Sequence, residues 1–89
     1  MMRIKDGFVM KDVAGSKVVL PIGERQEEIN GIITFNDTGA EIFSMLNGVY
    51  TVEEIIEKLV KDYEVSYDVA KTDVMNIIEK MRSQGLIEE

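Results

Sequence analysis

The segment FNDTGAEIFSMLNG, residues 35–48, separates two halves of the chain that follow different hydrophobic periods. It leaves a β-like run at Phe35, passes a polar corner and continues as an amphipathic helix. Asn36 is placed to cap that helix with its amide oxygen, and Thr38 with Glu41 offers an overlapping start as a capping box. Asn47-Gly48 stops it, because glycine takes a left-handed C′ geometry without a Cβ penalty. Upstream of the corner the sequence reads as strands. Downstream it reads as helices.

A chain of 89 residues is expected to be one domain, residues 1–89, around one small core. Its 45% apolar content is enough to fold on. It has no cysteine and no histidine. That removes disulfides, thiolate chemistry, Cys-based metal sites and the usual neutral-pH proton shuttle. Neither metal nor cofactor is expected. The start, MMRIKDGFVMKD, has no sustained apolar run and is not a signal peptide. No stretch approaches a membrane span, so the cytoplasm is the expected location.

The net charge of −7 is unevenly placed. Residues 1–35 carry five basic and five acidic side chains, whereas residues 36–89 carry five and twelve. An acidic helical half repels phosphate backbones, which argues against nucleic acid as a partner.

In the first half, Phe8–Val13 and Lys17–Leu20 read as a hairpin across Ala14-Gly15-Ser16, with Pro21 at a strand end. Ile22 to Asn30 is polar without a period and reads as a loop. Ile32–Phe35 reads as a third strand, with Ile33 and Phe35 on one face and Ile32 and Thr34 on the other. With only two other strands available, this one is expected at a sheet edge, which is either protected or used.

In the second half, Thr51-Val52-Glu53-Glu54 is a capping box for a helix whose apolar positions are Val52, Ile55, Ile56, Leu59, Val60 and Tyr63. Glu54–Lys58 and Glu57–Lys61 are spaced for i, i+4 pairing on its wet face. Ser66 caps a third helix running to about Gln84, with Gly85 as its stop and Leu86-Ile87 folding back on the core. Its core stripe is Ala70, Val74, Ile77, Ile78 and Met81. A second line, Lys71, Met75, Ile78 and Arg82, follows the spacing i, i+4, i+7, i+11. By itself this line reads as peripheral core between solvated cations. The architecture is α+β: an N-terminal three-stranded antiparallel sheet followed by a three-helix bundle, winged-helix-like.

Little here points to catalysis. The carboxylates of the second helix lie on its polar face, and Ser44 sits mid-helix without an acidic or basic helper. A phosphopantetheine carrier would place its serine at a helix start and would lack the strands. A winged-helix regulator would use the third helix to read DNA. Its three basic side chains (Lys71, Lys80, Arg82) are balanced by Asp68, Asp73 and Glu79, which is weak for groove binding.

The motifs themselves resemble those of the PqqD-like family. They are Phe35-Asn36-Asp37-Thr38-Gly39-Ala40-Glu41-Ile42-Phe43, Leu46-Asn47-Gly48, Thr51-Val52-Glu53-Glu54-Ile55, Leu59, Tyr63 and Gly85-Leu86. The Val13-Ala14-Gly15 turn and the Gly31–Thr34 strand are similar too. Phe35 departs from the leucine usual in the family. The resemblance implies a non-enzymatic peptide-binding domain, a RiPP recognition element. Such a domain holds the precursor or leader peptide of a ribosomally made, modified natural product and presents it to a modifying enzyme, often a radical S-adenosylmethionine protein. It implies that the peptide adds as a strand beside the third strand and lies against the third helix. Gly31, Ile32, Ile33, Thr34 and Phe35 then become the receiving edge. Lys71, Met75, Ile78 and Arg82 become the expected groove wall, with Met75 adaptable and the two cations facing acidic groups. A monomer or a weak homodimer through the same edge is expected. The alternative is a winged-helix nucleic-acid-binding regulator.

Overall fold

The computed structural model describes residues 1–23 and 33–89. Its elements are β1 (Arg3–Ile4), β2 (Phe8–Val13), β3 (Ser16–Pro21), β4 (Ile33–Phe35), α1 (Asp37–Met45), α2 (Val52–Tyr63), α3 (Tyr67–Ser83) and β5 (Ile87–Glu88). The expected α+β architecture is present: β2, β3 and β4 form an antiparallel sheet in that order, followed by three helices. Of the stretch read as a loop, only Ile22 and Gly23 are described. Gly31 and Ile32 also lie outside the described residues.

The β2–β3 turn fixes which backbone groups face where. Val13 pairs with Ser16 across Ala14 and Gly15, both at positive φ, which is a two-residue type I′ hairpin. Such a turn closes on a hydrogen-bonded pair, so bonded pairs recur at Val13, Lys11 and Val9. On β3 the alternate residues, Lys17 and Val19, then bond towards β4, where they oppose Phe35 and Ile33. Thr34, opposite Val18, is left with its N–H and C=O turned to the outer side of the sheet.

The helices start and stop where their caps require. Asn36 accepts the N–H of Gly39, so the Asn36 cap prevails over the alternative start at Thr38. The Thr51–Glu54 capping box is complete, and Ser66 caps α3 by accepting from the N–H of Val69. Gly85, at φ +79°, ends α3 in a Schellman arrangement: its N–H reaches the Arg82 carbonyl and that of Leu86 reaches the Met81 carbonyl. Leu86 is thereby turned into the core.

That core lies between the sheet and the helices and contains Val19, Ile33, Phe35, Ile42, Leu46, Ile55, Leu59, Val74, Ile78 and Met81. One element lies outside the sequence expectation. β1 pairs with β5 as a two-stranded ribbon that ties the two ends of the chain together. Arg3 reinforces it with bonds to Glu88 and Asp6, and Ile4 and Lys5 donate to the carbonyls of Leu46 and Leu86. On α2, Glu54 is held by its capping role and Lys58 reaches Asp62 at 2.7 Å, which displaces the expected Glu54–Lys58 pair.

Candidate functional site

β4 forms one margin of the sheet: among the described residues, β3 is its only strand neighbour. Its side chains alternate. Ile33 and Phe35 point into the core, 6% and 5% exposed, while Thr34 is exposed. The strand therefore offers a newcomer backbone and the Thr34 side chain, with its apolar residues already spent on the core.

What borders that margin is set by the tight packing of β4 against α1. An added Cβ on Gly39 would lie 2.9–3.1 Å from the Phe35 side chain, so the glycine lets the ring settle on the first turn of α1. Phe35 also meets Phe43, ring centres 6.2 Å apart. On the other side of the ring stands α3. Lys80 places Nζ 5.5 Å from the Phe35 ring centre and 3.5 Å from the carbonyl oxygen of Thr34. The latter distance is at the outer limit of a hydrogen bond. It confirms that this carbonyl faces outward.

Lys80 also identifies the flank of α3 that faces β4. A helix turns ~100° per residue, so Val69, Asp73, Asn76 and Ile77 lie within about 60° of Lys80 around its axis. Asp73, Asn76 and Ile77 line a cavity of about 120 Å³ with Asn36, Thr38 and Gly39 at the start of α1. α3 thus runs antiparallel to β4, with Lys80 level with Thr34 and Asp73 level with the α1 cap.

The expected groove wall needs correction. Ile78 is fully buried, 0% exposed, and belongs to the core. Lys71, Met75 and Arg82 lie about 140–180° around the helix from Lys80 and are not brought to β4. Met75 is exposed there, and Arg82 is held by Glu79 and by Glu89, the latter at 2.7 Å. The physical reason is that a core stripe has two shoulders, and periodicity treats them alike. For that reason the spacing does not single out Asp73, Asn76 and Lys80 beside β4, whereas Ile77, read as core, is half-buried and packs against the core. The available signal was the apolar pair Val69 and Ile77, two turns apart on the other shoulder.

Other polar groups are accounted for locally. The Ser44 hydroxyl donates to the Ala40 carbonyl of its own helix. Tyr67 donates to Glu53 at 2.7 Å, which holds its phenol above the usual range. Between α1 and α2, one carboxylate oxygen of Glu41 is buried without a hydrogen-bond partner. Burial, followed by the neighbouring Asp62, raises the Glu41 pKa, while the hydrogen bond from Lys58 leads the causes that lower that of Asp62. A proton on Glu41 would let it donate to Asp62. A second, larger concavity of about 400 Å³ lies elsewhere, between the β1–β2 segment and the end of α1. Among the described residues no helix is long and apolar enough to cross a membrane.

Comparisons with known proteins give the chain a family and a fold. Residues 16–87 match the family described as coenzyme PQQ synthesis protein D (PqqD), and the chain belongs to that family. Among curated proteins none matches the sequence. Two solved structures share the fold. One is a lasso peptide synthetase B1 complexed with the leader peptide, with a TM-score of 0.77 and 19% identity over 99% of this chain and 98% of that one. The other is TbiB1 in complex with the TbiA(beta) leader peptide, with a TM-score of 0.75 and 20% identity over 97% and 94%.

Proposed function

We propose that this protein is a non-catalytic peptide-binding partner acting in the cytoplasm. It takes the leader or precursor peptide of a ribosomally made, modified natural product as an added strand on β4 and presents it to a modifying enzyme. The carrying observation is the Thr34 backbone turned outward from a strand whose outer side has no partner strand among the described residues, with a helix flank of mixed chemistry beside it. Backbone pairing along β4 supplies affinity, and the Asp73, Asn76, Ile77 and Lys80 flank supplies selectivity. Two proteins of the same fold were solved with leader peptides, and the PqqD family points to the same accessory role. The modifying enzyme is a peptide-tailoring one, of the radical S-adenosylmethionine or the lasso-forming kind.

The DNA-reading alternative loses ground on α3 itself. Arg82 is neutralised by two carboxylates, and Lys80 is turned to the sheet. The test is a titration of labelled precursor-like peptides, taken from neighbouring reading frames, alongside a labelled DNA duplex at moderate salt. Saturable peptide binding with negligible duplex affinity is expected. Duplex binding with a steep salt slope would overturn the proposal.

A further inference from the structure

We infer that Lys80 sets the charge of the peptide: the added strand carries an aspartate or glutamate beside Thr34, and this carboxylate takes over the Lys80 ammonium. The inference rests on β4 being the strand-addition edge. In the free protein Nζ stands over the Phe35 ring and 3.5 Å from the Thr34 carbonyl. A newcomer strand needs that same carbonyl for its own N–H and runs only ~4.8 Å from β4. The ammonium occupies that lane, so it has to move when the strand arrives.

An ammonium has three donors and no acceptor, and covering it without a partner is costly. Its own helix does not supply the partner. Glu79 and Glu89 are engaged by Arg82, and Asp73 lies two turns away, ~10.5 Å along the axis. Among the described residues no carboxylate pairs with Lys80. With no described carboxylate placed to take it, an acidic side chain on the incoming strand is the partner we assign. The bond given up is weak at 3.5 Å, so the exchange for a close carboxylate is favourable. The same lysine also guards the empty edge, since two copies pairing through β4 would bring two ammonium groups to one seam.

The test is selection from a phage-displayed library of short random peptides on the wild-type protein and on Lys80→Glu. Wild type is expected to enrich peptides sharing an aspartate or glutamate at one position. Lys80→Glu is expected to enrich lysine or arginine there, and to bind the wild-type set roughly fivefold or more weakly. Lys80→Gln, which keeps a stem over Phe35 but loses the charge, is expected to weaken that set as well. If wild type enriches no peptide, the strand-addition reading fails and this inference fails with it. If peptides are enriched without an acidic position, or all three proteins bind the same set equally, strand addition stands and the role of Lys80 is overturned.

Discussion

Among the described residues the sheet has two outer margins, β2 and β4, and they differ in ways that matter for binding. β2 is long, and its far half, Lys11 to Val13, is exposed and charged, with Asp12 paired to Lys17. Its near half borders the larger concavity, lined by the chain's own N-terminal segment. β4, as described, spans Ile33–Phe35, buries two of these three side chains, and abuts α3. A charged, twisting hairpin edge is how proteins keep strands from joining. A short edge beside a helix flank instead couples backbone pairing to side-chain selection. An open edge alone does not make a site. The wall beside it does.

The strongest way to break this comparison is proline on each margin. Thr34 directs its N–H outward, so Thr34→Pro removes no bond to β3 but denies the newcomer a donor and places a ring in its path. Peptide affinity is expected to fall by about 1–3 kcal/mol, roughly fivefold to 150-fold, in a titration. By the same alternation the Asp12 N–H faces outward on β2, and Asp12→Pro is expected to leave affinity unchanged. If the two variants exchange effects, the peptide joins β2, and the larger concavity is its groove.

Next in size is Gly39→Ala. The new methyl would press on Cβ, Cγ and Cδ1 of Phe35, and Cβ is fixed to the strand rather than at the end of a flexible chain. Denaturant unfolding should show a loss of about 1–3 kcal/mol, as for an overpacked core. Because the displaced ring is what Lys80 covers, peptide affinity should fall too. Loss of stability with affinity intact would show that the β4 edge is indifferent to its support.

A pH titration separates the site from the helical half. The folded pKa of Glu41 is raised above its ordinary 4.5, so the folded state holds this proton more tightly than the unfolded one. The stability this contributes is present below 4.5 and is lost as pH rises through the folded value. Glu41→Gln is therefore expected to melt higher than wild type at neutral pH, with the gap closing below 4.5. Asp62 works in the opposite sense. Its lowered pKa gives stability above 3.8 that is lost as pH falls through the folded value, so an acid limb remains in both proteins. Peptide affinity should not follow the Glu41 profile, since this pair lies between α1 and α2, away from β4. A parallel shift in affinity would mean that the two regions are coupled.

The same contrast explains what the sequence could reveal. Caps and turns are local chemistry, so Asn36, Thr51, Ser66 and Gly85 could be placed before any coordinates. The third strand was legible from Ile33 and Phe35, and both are core. The β1–β5 ribbon was not, because two-residue strands are too short to carry a period and their pairing spans nearly the whole chain. The line Lys71, Met75 and Arg82 lies on the shoulder of α3 away from β4, which its spacing alone does not reveal. A helical repeat fixes which stripe is buried, but the side on which a strand will lie depends on how α1 turns the chain against the sheet. Only a long-range contact, Lys80 to Thr34, decides that.

The smallest expected effect concerns the β2 margin alone. Ala14 sits at φ +52° in the type I′ turn, a region that costs a residue with a Cβ and that asparagine tolerates better. Ala14→Asn should therefore stabilise the hairpin by about 0.5–1 kcal/mol, seen as a modest rise in melting temperature. The turn lies at the far end of β2 and β3, and β4 pairs with β3 only at Lys17 to Val19. If the margins act separately, the peptide gains nothing from a firmer hairpin, and its affinity should match wild type. A measurable gain would mean that β3 transmits the order of one margin to the other, and that strand addition at β4 draws on the whole sheet.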